Sequence, residues 1–385
     1  MAIITSSSEA IMAAKHLKPW IWQRPEWPEF YWDSARLAQP LAAARRAQGE
    51  LSGMARLLDP NSDLHAKLAI LTSEGIATSA IEGERFDPNA LRSSLARRLG
   101  LSTAGLPAPS PPVEGLVDLL LDATRNLNKP LTQKTLAGWQ AALFPTGRSG
   151  LSKIRVGALR GTSPMQIVSG AIGRQRVHYE APPRRGLEQE LKRFLVWFNR
   201  QPADVDGSLR AGLAHAWFEL IHPFEDGNGR VGRALLDRAL AQDESRSSQL
   251  YRLSARFMAV RGEYYDALQG LSRADLDATD WLKWFLKQVV VACGESAGTV
   301  ECVLQKAQFW MRHAQSDVNA RQRKALNALL DSGPGGFVGG MTNKKYAHLT
   351  HVSPATAQRD LADLAERGVL RTEGAGRSVR YVLQP

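Results

Sequence analysis

His222-Pro223-Phe224-Glu225-Asp226-Gly227-Asn228-Gly229-Arg230-Val231-Gly232-Arg233 is the stretch on which the reading of this chain turns. It lies between two helical patterns. A helix ending at Ile221 delivers a histidine, and a tight Gly-Asn-Gly turn opens a second helix. Glycines let backbone N–H groups approach a ligand closely and turn without steric cost. A helix N-terminus carries free N–H groups that favour an anion. Arg230 and Arg233 sit one turn apart in the first turns of that helix, so both can reach one anion. Asp226 would only repel that anion if it stood alone. It makes sense as a ligand for Mg²⁺, which is commonly held by one carboxylate plus phosphates. His222 can serve as a general base near neutral pH. Taken singly, each feature has an ordinary structural reading: a packed histidine, a turn, a solvated arginine face. Their concurrence in twelve residues describes phosphoryl or nucleotidyl transfer with a Mg-nucleotide.

Outward from this stretch, composition sets the bounds. The chain has 385 residues, 44% of them hydrophobic, which excludes wholesale disorder and leaves room for two or three domains. No uninterrupted apolar run reaches the length of about 18 residues that a membrane helix needs. The net charge of +11 points to acidic partners such as nucleic acid or nucleotides. Two cysteines, Cys293 and Cys302, are too few for a disulfide framework or a Cys-rich zinc site and are read as packing. The N-terminus lacks a basic segment followed by an apolar one, so a cytoplasmic setting is expected.

Residues 1–18 read as poorly ordered. Trp20 to Trp32 is dense in aromatics and broken by Pro25 and Pro28, which block a continuous helix; it reads as an extended arm laid on a neighbouring surface. Helices are expected at about Asp33–Leu58, Ser62–Thr78, Asp87–Leu99, Val113–Leu127 and Thr132–Leu143. Residues 145–183 change character, and Gln166–Val177 reads as two short strands about a glycine-containing turn. Helices follow at about Leu187–Arg200, Ser208–Ile221, Asn228–Ala241, Leu250–Leu253, Gly262–Gly270 and Ala278–Val291, with a long one from Gly294 to Ala314. After Ala320 the order becomes helix, helix, helix, β-hairpin, with Ser353 as an N-cap and Pro354 at the first helical position. That order is a winged helix-turn-helix. The expected division is a helical region at 1–110, a catalytic core at 111–300, a connecting helix at 301–319 and a winged helix at 320–385.

The twelve residues match H-P-F-x-[DE]-G-N-G-R-x-x-R at every fixed position, and the chain thereby resembles Fic-domain proteins (filamentation induced by cAMP). The resemblance implies a mainly helical Fic core with a short β-hairpin flap. It implies transfer of AMP from Mg-ATP to a Ser, Thr or Tyr hydroxyl of a target protein, with release of pyrophosphate. Carried over by position, His222 is the general base, Phe224 anchors the loop and Asp226 holds Mg²⁺. Gly227, Asn228 and Gly229 form the anion loop, and Arg230 and Arg233 contact the phosphates. Gly157–Arg160 and the hairpin with Gln166, Ile167 and Val168 resemble the flap that docks the target by strand addition. Arg261–Leu268 resembles the segment that closes over adenine, where Tyr264 or Tyr265 would meet the base or ribose.

Thr78-Ser79-Ala80-Ile81-Glu82-Gly83 matches the inhibitory pattern [ST]-x-x-x-E-[GN] found ahead of the core in one Fic subclass. The implied mechanism is competition: Glu82 takes the bidentate face of Arg233, steadied by Thr78, and denies it to the γ-phosphate. In this class the same glutamate also supports removal of AMP from the modified target. The aromatic stretch Trp20–Trp32 is similar to the module that precedes such cores.

Residues 320–385 hold ten Lys and Arg against five Asp and Glu. In a winged helix the third helix enters the major groove by its N-terminal part, which makes Thr356, Gln358 and Arg359 the candidate DNA contacts, with Arg377 in the wing. Asp360, Asp363 and Glu366 crowd the later turns of that helix and argue the other way, toward a protein-interaction module. The expected partners are ATP, a protein target, the chain itself as substrate of self-modification and as a homodimer, and DNA. The rival reading is a DNA-binding regulator whose Fic core senses a nucleotide. An intact His222 argues against it, because a sensor has no need of a base.

Overall fold

A computed structural model describes residues 20–125, 127–169, 176–202, 204–244, 250–331, 337 and 339–384. The expectations for residues 1–18 and for the turn of the flap hairpin lie outside the described residues. The chain divides into two compact units. One comprises residues up to Gln48 with Leu71–Ala292, and the other Gly49–Ile70 with Cys293–Pro385.

Five described helices precede the His222–Arg233 stretch in the N-terminal part of the chain: α1 (Ser34–Ala55), α2 (Pro60–Ile81), α3 (Pro88–Arg98), α4 (Pro111–Thr124) and α5 (Gln133–Leu143). The first unit is centred on an antiparallel pair beyond them. After α6 (Leu187–Arg200), α7 (Gly207–Ile221) is buried along nearly its whole length, and α8 (Asn228–Asp243) folds back on it through the Gly-Asn-Gly turn. A helix apolar on all sides belongs in the middle of a bundle, and α7 carries Leu209, Leu213, Phe218 and Ile221 there. Its start is fixed by Asp206, whose carboxylate accepts from Ser208 N at 2.8 Å. α9 (Leu253–Ala259) is capped from a distance. The fully buried carboxylate of Glu74 on α2 accepts from Ser254 N at 2.8 Å and Ala255 N at 3.0 Å. α10 (Arg261–Ser272) and α11 (Thr279–Arg312) follow.

The aromatic stretch is a short 3₁₀ turn, Ile21–Gln23, and then irregular chain. Trp22 Nε1 donates to Glu180 O at 2.7 Å and Trp27 Nε1 to Glu190 Oε2 at 2.8 Å. Trp27 and Phe30 meet Trp217 edge to face. The arm is therefore a packed part of the bundle, consistent with tryptophans that bury a ring and still pair their N–H.

Three two-stranded antiparallel sheets are described. β1 (Arg148–Ser149) and β2 (Ser152–Lys153) form a hairpin in a stretch read from sequence only as turns. β3 (Gln166–Ser169) and β4 (Arg176–Glu180) pair with Gln166 opposite Glu180 and a register shift after Ile167. β5 (Leu370–Glu373) and β6 (Arg380–Leu383) close the second unit. Its core joins α12 (Ala320–Leu330), α13 (Asn343–Thr350) and α14 (Pro354–Glu366) through Leu326, Tyr346, Leu361 and Tyr381, and takes in Phe309 of α11. The core thus begins before residue 320.

The helix break expected near Val291–Gly294 is absent, and α11 runs through it. One interior glycine costs only about 1 kcal/mol, which packing overrides. α2 continues to Ile81, three residues beyond the expected end, and sets Glu82 just past its last turn.

A pair of glycines tests the packing of α4 on α5. A Cβ at Gly115 would lie 1.7 Å from Ala142 O, whereas one at Gly138 meets nothing within 4 Å. Gly115→Ala is expected to lower stability by about 3 kcal/mol in urea unfolding. Gly138→Ala is expected to leave it unchanged or raise it by up to about 1 kcal/mol.

Candidate active site

α7 hands over to the loop at His222, which takes a left-handed backbone conformation (φ 49°). His222 Nδ1 stands 3.2 Å from Glu219 O. A carbonyl only accepts, so Nδ1 carries the proton and Nε2 is left with a free lone pair. Burial lowers the pKa of His222, aided by Arg160 and opposed by the hydrogen bond to Glu219 and the charges of Glu82 and Asp226. The ring is therefore neutral at neutral pH, the form a general base needs.

The loop that follows is cross-braced. Phe224 is fully buried, and Asn228 folds back on it. Asn228 Oδ1 accepts from Phe224 N at 2.9 Å, and Nδ2 donates to Phe224 O at 2.8 Å. Gly227 has φ 87° and lies under the Phe144 ring, 2.9 Å from where a Cβ would sit, so conformation and space both require glycine. Glu225 accepts from Arg155 N at 2.8 Å and Gly161 N at 3.2 Å. Arg160, 2% exposed, donates from its main chain to Pro223 O at 2.9 Å and from Nε to His222 O at 2.9 Å. Its Nη2 reaches Pro182 O at 2.5 Å. Arg160 is thus a buried clamp on the loop, which sequence reasoning noted only as part of a segment resembling the flap.

Asp226 accepts from Gly227 N at 2.5 Å and from the Ser149 hydroxyl, and its side chain is 35% exposed. No group of three or more His, Cys, Asp or Glu poised to hold a metal occurs among the described residues. A single accessible carboxylate suits a Mg²⁺ that takes its remaining ligands from phosphates and water.

The two arginines do not converge on one point. Arg233 is buried and donates from Nη2 to Glu82 Oε1 at 2.7 Å and to Thr78 O at 2.9 Å, and from Nε to Thr78 Oγ1 at 2.7 Å. Thr78 therefore holds the arginine directly, not the glutamate. Burial pushes the Glu82 pKa up, but the charge and hydrogen bond of Arg233 outweigh it and hold the carboxyl below its usual range. Gly229 makes this possible, since a Cβ there would lie 2.2 Å from Glu82 Oε1. Arg230 is turned to Glu84, with Nη1 2.6 Å from Oε2, while its guanidinium lies over Phe144. The sequence reading gave Glu84 no role. Its signal is the spacing: glutamates two apart about Gly83 (φ 83°) meet arginines three apart in α8.

The two tyrosines separate. Tyr264 is 1% exposed, pairs its hydroxyl with His215 Nε2 at 2.8 Å and stacks on Phe257. It is a core residue and presents no face to a nucleotide, which corrects that half of the adenine assignment. Tyr265 is 41% exposed and reaches Ile81 O at 3.4 Å. On the flap, Gln166 bonds Glu180, while Ile167 and Val168 are exposed. In the second unit Thr356 lies in the N-cap turn of Ser353, Gln358 accepts from Asn343, and Arg359 is exposed. Arg377 falls in a short 3₁₀ turn, and its side chain lies outside what is described.

Residues 130–240 match the model of the Fic/DOC family, and residues 20–101 match a domain of unknown function, DUF4172. Over residues 130–240 the chain is therefore similar to the Fic/DOC family. Over 63 residues it is 40% identical to a probable protein adenylyltransferase, aq_aa38, of Aquifex aeolicus, covering 16% of this chain and 20% of that one. Over 89 residues it is 33% identical to the protein adenylyltransferase fic-1 of Caenorhabditis elegans, covering 23% of this chain and 16% of that one. The matches thus span a fifth or less of these curated relatives' lengths. Among solved structures, a Fic family protein from Desulfovibrio desulfuricans G20 aligns over 92% of this chain and 97% of its own, with TM-score 0.55 and 18% identity. A Fic domain containing signaling protein from Bacteroides thetaiotaomicron covers 67% of this chain and 97% of its own, with TM-score 0.51 and 14% identity. These structures share the fold.

The loop brace is directly testable. Asn228→Ala leaves the Phe224 N–H and C=O unpaired in the core. A loss of about 2–4 kcal/mol in urea unfolding is expected.

Proposed function

We propose that this Fic domain is a protein adenylyltransferase held in an inhibited state by its own α2. The observation that carries this reading is the pairing of Arg233, which we assign to the γ-phosphate: it is bound by Glu82 and Thr78 while His222 keeps Nε2 free. In the reaction the hydroxyl oxygen of a target Ser, Thr or Tyr attacks the α-phosphorus of ATP. The bond from that phosphorus to the bridging oxygen breaks, pyrophosphate leaves, and the hydroxyl proton passes to His222 Nε2. The N–H groups at the start of α8, with Arg230 and Arg233, stabilise charge on the phosphates. Asp226 would hold Mg²⁺, which when bound neutralises phosphate charge. The exposed Ile167 and Val168 on β3 offer a strand edge to a target segment. The names of the Aquifex and Caenorhabditis relatives support the same chemistry.

Inhibition in this reading is double. Glu82 takes Arg233, and Glu84 takes Arg230. An incoming triphosphate must displace two carboxylates, each repelling it.

The basic module carries a second proposal, DNA binding. Asp360, expected to repel a phosphate backbone, is buried and bound by Tyr346 Oη at 2.8 Å and Arg321 Nε at 2.9 Å. Asp363 pairs with Gln322 and Arg367. That leaves Gln358 and Arg359 on the exposed side of α14. A mobility shift with genomic fragments across a salt series tests it. Binding that weakens steeply with salt is the expected outcome, and no shift at low salt excludes it.

Glu82→Gly is expected to raise AMP incorporation from labelled ATP into the protein itself or a lysate target by at least about tenfold. Adding His222→Ala should abolish transfer and keep ATP binding. A folded Glu82→Gly protein without incorporation overturns the proposal. Because burial holds His222 below its usual pKa of 6.5, the rate should stay level through neutral pH and fall only at lower pH, as the ring protonates. Glu84→Gln is expected to tighten ATP binding several-fold by calorimetry, on the order of 1 kcal/mol.

A further inference from the structure

Glu219 stands in the last turn of α7, one turn before His222, and the transfer as described gives its side chain nothing to do. That side chain is 11% exposed. Its Oε2 lies 3.9 Å from His222 Nδ1, and its Oε1 is buried without a hydrogen-bond partner among the described residues. The carbonyl of the same residue accepts from His222 Nδ1 at 3.2 Å. Main chain and side chain of one residue therefore face one ring nitrogen. Gly232 on α8 leaves the space for this carboxylate, because a Cβ there would lie 2.4 Å from Glu219 Oε1. A buried carboxylate with an unused oxygen is costly, and an apolar side chain of similar size would fill the space without that cost.

We propose that Glu219 is a positioning residue for His222. It holds the imidazole by Nδ1, so that Nε2 faces the target hydroxyl. In its ionised form its carboxylate balances the imidazolium formed when His222 accepts the hydroxyl proton. This is the third member of a nucleophile–base–orienter arrangement, and it rests on the AMP-transfer reading. The charged and titratable groups around the pair come from every neighbouring element. Arg233 and Glu82 act on Glu219, while Arg160, Glu82 and Asp226 act on His222. Tyr264 and His215 close the far side, bonded to each other. Burial pushes the Glu219 carboxyl up to about 8, with Glu82 adding to the rise and Arg233 opposing it. Withdrawal of Glu82 removes a repelling charge and leaves the pull of Arg233. The Glu219 carboxyl is thereby drawn toward ionisation, although burial still holds it up.

The test uses the full-length Glu82→Gly protein as parent. In that background Glu219→Gln should lower kcat on the order of tenfold and leave KM for ATP within about twofold. Loss of the negative charge lowers the His222 pKa, so the acid limb of the rate profile should move to lower pH. Glu219→Asp should restore part of the loss. NMR titration of the His222 ring should show the same downward shift in Glu219→Gln, in protein without ATP. An unchanged kcat and ring titration in Glu219→Gln overturns the proposal. So does a change confined to KM. If the parent itself transfers no AMP, the transfer reading falls, and the ring titration still decides the Glu219 contact. If Glu219→Gln folds poorly, Glu219→Asp and the ring titration of the folded fraction decide.

Discussion

A guanidinium buried to 3% of its surface must have partners, and the site is organised around how Arg233 finds them. An unpaired charge at this depth costs several kcal/mol. Arg233 resolves this with three hydrogen bonds to the end of α2, two to Thr78 and one to Glu82. α2 also supplies Glu74, which caps α9. One helix therefore both pairs Arg233 and braces the bundle behind it. The contact with Thr78 and Glu82 is part of the folded core, and breaking it has to leave Arg233 another partner. A triphosphate is a chemically suitable one.

The loop from His222 to Asn228 answers a different constraint. A chain that reverses direction between two buried helices has to pair its peptide groups inside the protein. Asn228 does this from the C-terminal side and Arg160 from outside the loop, while Glu225 ties the loop to residues 155 and 161. The result holds His222 in a left-handed conformation with its Nδ1 committed to a carbonyl. The ring is oriented by the protein alone, which would suit the general base proposed above.

How much of this was legible in the sequence depends on distance along the chain. The loop was readable because its chemistry is local: twelve consecutive residues carry the base, the carboxylate, the glycines and both arginines. The Glu82 partner was readable only through the family resemblance, since 151 residues separate it from Arg233. Glu84 was missed because a glutamate after a helix end looks solvated unless the geometry of Gly83 is known. Arg160 and Glu219 were passed over for a related reason. Their partners are backbone carbonyls and a ring nitrogen, which leave no residue-type signature. Tyr264 and Tyr265 were inseparable in sequence, because adjacent helical positions differ by about 100° and only packing says which one faces inward. Asp360 was read as a surface charge, and its three partners lie 14 to 41 residues away.

Gly229 ties two histories together. The place a methyl group would take there is already filled by Glu82 Oε1. In the reading proposed above the position is shared: the anion loop would need it open, and so does the carboxylate that fills it. A side chain there would displace Glu82 Oε1 and crowd Arg233 Nη1, 3.0 Å from the same point. A mutation meant to free Arg233 alone would therefore begin at the end of α2, where the contact is made by a side chain and not by a shared space.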